Sequence, residues 1–295
     1  MKFAYLIMAH DNEEQLKLLI ESLDYPENDI FLHIDKKSDI RNISFETKNA
    51  KIKIYSCFSV YWADLSQTKC QIFLLKEAIK EKHDYYHLIS GHDFPIKSHE
   101  IIKKFFHDNY GKQFIHFESK DYCLKERCRY YHFLAPVITR CRIKLLKNIM
   151  VQIETYMLSI QKRKDVSRPL YCGANWFSIT HDLAEEYILH SKEILRKVRW
   201  TLSSDEYVLQ TFYRTMAEGN YEIYSETKDP YDYCCVTREI DWRRGSPYVW
   251  RNEDFDFLMS SERMFARKFD QRIDNIILNR IFKENERDRL SFNKE

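Results

Sequence analysis

Residues 2–35, KFAYLIMAHDNEEQLKLLIESLDYPENDIFLHID, contain the pattern that decides the fold. Residues 2–9 are nearly all apolar, which predicts a buried first strand. Asp11 or Asn12 can cap the helix that follows. One side of this helix is apolar and contains Leu16, Leu19, Ile20 and Leu23. Residues 29–35 predict a second strand, and a strand, a helix and a strand in this order are typical of an α/β sheet.

The same alternation continues along the chain. Further strands are predicted at 51–56, 85–90, 112–118 and 174–180, with two shorter ones near 221–225 and 238–243. Helices are predicted near 65–81, 99–107, 181–197 and 252–260, and a last helix runs to about 283. Apolar strands that alternate with helices predict an α/β fold with a mainly parallel, doubly wound sheet flanked by helices.

This pattern predicts one domain over residues 1–283, followed by a polar tail at 284–295. We expect a nucleotide-binding half at about 1–120 and an acceptor and catalytic half at about 165–283. Ligands of doubly wound sheets bind beyond the carboxyl ends of the strands. The polar residues that follow predicted strands are therefore candidates to hold a nucleotide: His10, Asp11, Asp35, Lys36, Ser90, His92 and Asp93.

Composition excludes some classes of protein. The 295 residues can bury a sizeable core, and a formal net charge of +2 is too balanced to indicate a nucleic-acid binder. No stretch reaches the roughly 18 apolar residues of a membrane span, so we expect a cytoplasmic protein. Without a secretory signal, we expect its 8 cysteines to be reduced thiols. Cys123, Cys128 and His132 lie near one another in the sequence but match no standard zinc spacing.

Residues 140–164, RCRIKLLKNIMVQIETYMLSIQKRK, form a long amphipathic stretch that is basic at both ends. One interpretation is contact with an anionic membrane surface. The other, which we favour, is an ordinary helix whose apolar side faces the core while its Lys and Arg side chains are solvated.

A glycine-rich phosphate loop is excluded, because neither GxGxxG nor GxxxxGK[ST] occurs. A bound diphosphate would have to be held by cations, since Arg pairs bidentately with phosphate oxygens and Lys adds a point charge. The candidates are two late basic pairs beside aromatic residues: Arg243 with Arg244, and Arg267 with Lys268. An Asp-x-Asp triplet could hold a metal instead. The single example, Asp254 to Asp256, falls in a predicted helix, where we expect both carboxylates on the surface.

Residues 201–214, TLSSDEYVLQTFYR, predict the first turn of an amphipathic helix. A carboxylate at Glu206 would be oriented by the helix start, which suits a general base that takes a proton from a hydroxyl. Ser203 and Glu206 also match S-x-x-E, the pattern of a capping box. From this segment alone both interpretations stay open.

Eight motifs together resemble one enzyme family. They are AYLIMAH (4–10), HIDKKSD (33–39), VYWADLSQ (60–67), YYHLISGHDFPIK (85–97), GANWFSIT (173–180), SSDEYVLQT (203–211), IDWRRGSP (240–247) and FARKFD (265–270). Their order resembles that of glycosyltransferase family 14, the core-2/I-branching N-acetylglucosaminyltransferases and peptide O-xylosyltransferases. The resemblance covers roughly residues 2–275 and is greatest to bacterial members of the family.

The resemblance implies a GT-A type nucleotide-sugar fold and inverting transfer without a divalent metal. It implies that Glu206 is the general base, although Ser204 stands where many members have Pro. It assigns the diphosphate to Arg267 and Lys268, with a further contribution from Arg243 or Arg244. It further implies nucleotide contacts for His10 and Asp35, and contacts to donor sugar or acceptor for Trp62, Asp93, Asn175, Trp176 and Asp205.

The implied function is transfer of a sugar, N-acetylglucosamine or xylose, from a UDP-sugar to an acceptor hydroxyl. We expect a saccharide or lipid-linked acceptor in bacterial surface polysaccharide synthesis, with possible contact to the inner membrane. No metal and no nucleic-acid partner is expected. No cofactor is expected either, because the UDP-sugar is a substrate. The alternative is a non-catalytic nucleotide- or saccharide-binding protein on the same fold.

Overall fold

The structure is a computed structural model that describes residues 1–118, 127, 130–161, 170–225, 229 and 232–292. Its strands are β1 (Phe3–Ala9), β2 (Asn28–Ile34), β3 (Lys51–Tyr55), β4 (Tyr85–Ser90), β5 (Phe94–Pro95), β6 (Phe114–Ile115), β7 (Phe177–Thr180), β8 (Arg238–Ile240) and β9 (Phe265–Arg267). Its α-helices are α1 (Glu13–Ser22), α2 (Leu65–Ala78), α3 (His99–Asp108), α4 (Ala135–Arg140), α5 (Lys144–Ile160), α6 (His181–Val198), α7 (Val208–Phe212), α8 (Phe255–Ser260) and α9 (Ile276–Phe292).

The main sheet has the strand order β3-β2-β1-β4-β7-β6. β1 pairs in parallel with both β2 and β4, and β2 pairs in parallel with β3. β7 is antiparallel to β4, and β6 is antiparallel to β7. The strand order reverses between β1 and β4, which makes the carboxyl ends of these two strands the point where such sheets bind ligands. The predicted mainly parallel sheet is confirmed.

Alternate residues of β1 pack into different layers on the two faces of the sheet. Phe3, Tyr5 and Ile7 belong to one core, which also contains apolar side chains of α1, α3 and α9. Ala4 and Leu6 belong to a second core with apolar side chains of α2, α6 and α7. Helices therefore cover both faces, as the doubly wound prediction requires.

A small second sheet, in the order β5-β9-β8, lies next to the main one. β5 follows β4 after a turn, and the backbone N–H of Phe269 donates to the carbonyl of His92 at 3.0 Å. This bond joins the segment after β9 to the carboxyl end of β4. The late basic pair Arg267 and Lys268 is thereby brought to the ligand-binding edge of the main sheet.

Several elements differ from their predictions. The strand predicted at 112–118 contains only Phe114–Ile115, and the predicted strand at 221–225 contributes only isolated bridges, from Ile223 to Gln113 and from Tyr221 to Glu218. The last helix reaches Phe292, so the tail predicted from residue 284 is largely helical. The chain around Glu206 is not one helix but a 3-10 turn, the short α7 and a π-helical turn.

The amphipathic stretch at 140–164 was assigned wrongly to the core. Within α5, Glu154 is the only buried residue, whereas most of its large apolar side chains are exposed. Helix α5 is therefore not the core-facing helix that we favoured. No described helix is long and apolar enough to cross a membrane.

The expectation of reduced cysteines is wrong at Cys172, which is bonded in a disulfide. Its partner lies outside the described residues. Five other cysteines are free thiols: Cys57, Cys70, Cys141, Cys234 and Cys235. Cys172 immediately precedes the GANWF segment. The possible zinc ligands Cys123 and Cys128 also lie outside the described residues.

Candidate active site

A cleft of about 1210 Å³ opens at the carboxyl ends of the main-sheet strands. Eleven of the candidate residues that the sequence predicted line it: His10, Asp35, Trp62, Ser90, His92, Asn175, Trp176, Asp205, Glu206, Arg267 and Lys268. Asp93, Arg243 and Arg244 are not among the lining residues. The cleft therefore brings together residues from most of the motifs that carry the family resemblance.

The backbone at Glu206 rules out a capping box. Ser203 has a left-handed conformation, with φ 52° and ψ 50°, and its side chain makes no capping hydrogen bond. Residues Ser204–Glu206 form a 3-10 turn, and the carbonyl of Glu206 accepts the backbone N–H of Gly173 at 2.9 Å. A turn tied to the GANWF segment, rather than a helix cap, positions the Glu206 carboxyl.

Burial raises the pKa of Glu206 to about 7, and the neighbouring Asp205 contributes in the same direction. Arg127 opposes this shift, because its Nη1 lies 2.8 Å from Oε2 of Glu206. The side chain is still 41% exposed, so a substrate hydroxyl can reach it. A carboxyl that titrates near neutral pH in a cleft can act as a general acid or base.

Asp205 is buried beside Glu206 and is held by two amide side chains. Its Oδ2 accepts Nε2 of Gln67 at 2.7 Å and Nδ2 of Asn175 at 3.1 Å. Its Oδ1 has no hydrogen-bond partner among the described residues, and burial raises its pKa to about 6. Gln67 and Asn175 therefore orient Asp205, and its second carboxylate oxygen is buried without a hydrogen-bond partner among the described residues.

Two cations at the end of β9 have different surroundings. The Arg267 guanidinium lies 4.1 Å from the centre of the Trp176 ring, and its Nη1 lies 3.5 Å from Oδ1 of Asp93. Burial lowers the pKa of Arg267, and its Nε has no partner among the described residues. Lys268 lines the cleft, and its Nζ makes no hydrogen bond or ion pair within the described part of the chain. Both residues can offer donors to an anionic ligand.

The earlier basic pair, Arg243 and Arg244, lies near acidic side chains. The guanidinium of Arg244 pairs with Asp241, lies 2.7 Å from Oδ1 of Asp254 and stacks 4.0 Å from the Tyr248 ring centre. Asp254, which we expected on the surface, is buried, because it balances Arg244; Asp256 is exposed as expected. The Arg243 side chain is 73% exposed and 3.7 Å from Asp229. A role for this pair in phosphate binding stays a prediction that the cleft geometry does not support.

Three residues that we expected to contact the nucleotide lie at the ends of strands, and each of them forms an ion pair. Asp35 accepts the backbone N–H of Lys37 at 2.8 Å and its Nζ at 2.6 Å. Nε2 of His10 lies 3.5 Å from Oδ1 of Asp11, and burial lowers the pKa of His10. Asp93 accepts the backbone N–H of Ser90 at 2.6 Å behind the cleft wall, so it acts on a ligand only through Arg267.

His10, Asp11 and His92 form the one group of described residues whose metal-ligating atoms lie within 4.8 Å of one another. Nε2 of His92 is 3.1 Å from Oδ1 of Asp11, and Nη2 of Arg272 is 2.8 Å from Oδ2. Asp11 is thus already paired with a guanidinium. A divalent ion would have to compete with Arg272 for this carboxylate.

Some cleft residues were missed by sequence reasoning. Arg127 lies 79 positions from Glu206 in the chain, and nothing in its spacing indicates that the two meet. Glu118, Trp242 and Tyr233 also line the cleft. Trp242 is part of the IDWRRGSP motif and directly precedes the predicted phosphate-binding pair. Its position beside that pair is the feature of the sequence that could have predicted it as a cleft residue.

Comparisons with known proteins assign the chain to a family. A family model described as Core-2/I-Branching enzyme matches residues 3–255. The chain is 25% identical over 306 residues to the beta-1,3-galactosyl-O-glycosyl-glycoprotein beta-1,6-N-acetylglucosaminyltransferase of Bos taurus, covering 92% of this chain and 66% of the relative. It is 23% identical over 301 residues to xylosyltransferase sqv-6 of Caenorhabditis briggsae, covering 93% of this chain and 35% of the relative. The chain thus spans just under two thirds of the first relative and about a third of the second.

Proposed function

Because this chain belongs to the Core-2/I-branching enzyme family, we propose that it is an inverting glycosyltransferase that uses a UDP-sugar. The proposal rests on one observation: the same cleft contains a carboxyl group that can act as a base and a lysine whose ammonium group has no partner among the described residues. Glu206 has a pKa of about 7, and Lys268 lines the same cleft with an unpaired Nζ. One group can take a proton from an acceptor while the other stabilises a leaving diphosphate.

In this mechanism Glu206 removes the proton from the acceptor hydroxyl. The hydroxyl oxygen forms a bond to the anomeric carbon of the sugar from the side opposite UDP. The bond from that carbon to the diphosphate oxygen breaks, and its electron pair leaves with UDP. Lys268 and the guanidinium of Arg267 stabilise the charge that develops on the diphosphate. The ion pair with Arg127 holds Glu206 in place and favours its ionised form.

The donor sugar is proposed from the names of the relatives. One is an N-acetylglucosaminyltransferase and another a xylosyltransferase, so N-acetylglucosamine and xylose are the first candidates. We propose a saccharide or lipid-linked acceptor and a role in bacterial surface polysaccharide synthesis at the cytoplasmic side of the membrane. We further propose that no divalent metal is required, since Arg267 and Lys268 supply the positive charge that a metal would bring.

A UDP-release assay across UDP-GlcNAc, UDP-Xyl, UDP-Gal, UDP-Glc and UDP-GalNAc tests the proposal. We expect one donor to be turned over, and the Glu206→Gln variant to lose roughly 10²–10⁴-fold in turnover, the usual contribution of a general base. Gln still accepts a hydrogen bond from Arg127, so UDP affinity measured by calorimetry should be unchanged. Donor binding without turnover of any donor would instead favour a non-catalytic nucleotide- or saccharide-binding protein.

A further inference from the structure

The apolar side of α5 faces solvent instead of the protein. Six large side chains share this face at helical spacing: Leu145, Leu146, Ile149, Ile153, Tyr156 and Ile160. Each is exposed, from 44% at Ile149 to 70% at Leu145. Monomeric proteins in water rarely leave a continuous apolar patch of this kind uncovered.

The orientation of α5 is fixed by polar contacts on its opposite side. Glu154 is buried, and its Oε2 accepts the backbone N–H of Leu134 at 3.1 Å. Its Oε1 lies 3.6 Å from Nδ1 of His132, whose backbone N–H donates to the carbonyl of Trp200 at 2.9 Å. The helix is thus attached to the end of α6 through its polar side, which leaves the apolar side outward.

The exposed charged side chains on α5 and just before it are all basic. Lys144 and Lys147 are exposed on α5, and Arg142 is exposed just before it. Glu154 is the only carboxylate of the helix, and it is buried. A helix with a broad apolar side and exposed basic side chains is typical of segments that lie in the interface of an anionic bilayer. A second copy of this chain fits less well, because it would bring two sets of basic side chains together.

We propose that α5 docks on the surface of a lipid bilayer that carries anionic headgroups. The six apolar side chains enter the interface, and Lys144, Lys147 and Arg142 contact the headgroups. The docking itself does not depend on the proposed transferase activity.

The position of α5 gives this docking a consequence for the substrate. Nη2 of Arg140, at the end of α4, lies 3.1 Å from Oδ2 of Asp64. Asp64 closely follows Trp62, which lines the cleft and is 78% exposed. The chain that leads into α5 is therefore tied by an ion pair to a segment that lines the cleft. If the proposed function holds, the acceptor is a lipid-linked saccharide that reaches the cleft from the bilayer.

Vesicle co-sedimentation tests the docking. The full chain is mixed with vesicles of phosphatidylcholine alone, or of phosphatidylcholine with phosphatidylglycerol. We expect sedimentation with the anionic vesicles only, and weaker binding as salt is raised. Two double variants, Ile149→Glu with Ile153→Glu and Lys144→Glu with Lys147→Glu, should each lose roughly tenfold or more in partitioning. The matched control is Leu189→Glu on α6, since Leu189 is an exposed apolar residue away from this face (77% exposed).

Three results would overturn the proposal. One is an absence of binding to anionic vesicles, and another is an equal loss in the Leu189→Glu control. The third is a dimer in sedimentation velocity that the Ile149→Glu and Ile153→Glu changes dissociate, with no vesicle binding. UDP release with a soluble acceptor should be unchanged in every α5 variant, because these residues lie outside the cleft. Loss of vesicle binding with retained turnover thus separates failure of docking from failure of the transferase proposal.

Discussion

Opposing influences set the protonation of Glu206. Burial and the adjacent Asp205 raise its pKa, while the guanidinium of Arg127 lowers it, with a result of about 7. A carboxyl with its ordinary pKa would be ionised at neutral pH but would be a weak base. A pKa near the working pH combines ionisation with basicity, which is the best compromise for a general base.

The rate should therefore rise with pH through the titration of Glu206. Only the ionised carboxyl can accept the proton, so we expect kcat/KM to increase to a plateau, with the midpoint of the rise at about 7. Asp205 and Glu206 are adjacent, so this midpoint belongs to the coupled pair. The measurement is a pH–rate profile of UDP release by the wild-type protein.

Two variants should move this midpoint in opposite directions. Asp205→Asn removes a charge that raises the pKa of Glu206, so the rise should begin at lower pH. Arg127→Gln removes a charge that lowers it, so the rise should move to higher pH. A profile that does not change in either variant would show that another group is the base.

Lys268 and Arg243 provide a matched pair for testing diphosphate binding. Lys268 lines the cleft with no partner among the described residues, whereas Arg243 is 73% exposed and does not line it. A hydrogen bond to a charged group contributes about 1.5–3 kcal/mol, so Lys268→Ala should weaken UDP binding roughly 10–100-fold. Arg243→Ala should leave the affinity measured by calorimetry nearly unchanged. Equal losses in both variants would assign the diphosphate to the earlier pair as well.

At the scale of elements, the turn that carries Glu206 depends on a close approach at Gly173. A Cβ on Gly173 would lie 1.9 Å from the carbonyl oxygen of His116, a backbone atom that a side-chain rotation cannot move. Gly173→Ala should therefore cost about 2 kcal/mol or more in the free energy of unfolding. It should also lower turnover, because Gly173 N–H donates to the Glu206 carbonyl.

Gly91→Ala is the control for this substitution. There a Cβ would meet the Cβ of Ala9 at 3.2 Å, a milder contact than the one at Gly173. Thermal unfolding of both variants gives the comparison, and we expect the lower melting temperature for Gly173→Ala. A Gly173→Ala protein as stable as the wild type would mean that the two segments can separate without cost.

The elements that were predicted best are those whose patterns are local. The apolar runs of β1, β2 and β4 and the helical periodicity of α1 place these elements within a few residues. The helix start predicted at Glu206 was wrong. S-x-x-E predicts a helix cap, whereas the left-handed backbone of Ser203 leads into a 3-10 turn. The apolar period of α5 correctly predicts a helix, but a period cannot indicate whether the apolar side faces the core or an external surface.

At the scale of the whole molecule, the cleft joins segments that are far apart in the sequence. The family motifs predicted most of its lining, since every motif contributes residues to it. Arg127 could not be predicted from the sequence, because its contact with Glu206 spans 79 positions and depends on the tertiary fold. The disulfide at Cys172 was missed for a similar reason, since an argument from compartment says nothing about which side chains the fold brings together.

Removal of divalent metals tests whether the cleft can stabilise the diphosphate without a metal ion. Arg267 and Lys268 lie at the cleft, and Asp11 in the His10–Asp11–His92 group is already paired with Arg272. We therefore expect UDP release to persist after dialysis against EDTA, with no gain when Mn²⁺ is added. If EDTA abolishes turnover and Mn²⁺ restores it, the variant His10→Ala identifies the site. A loss of Mn²⁺ rescue in that variant would assign the metal to the strand-end group, and the diphosphate would then be held by an ion as well as by Lys268.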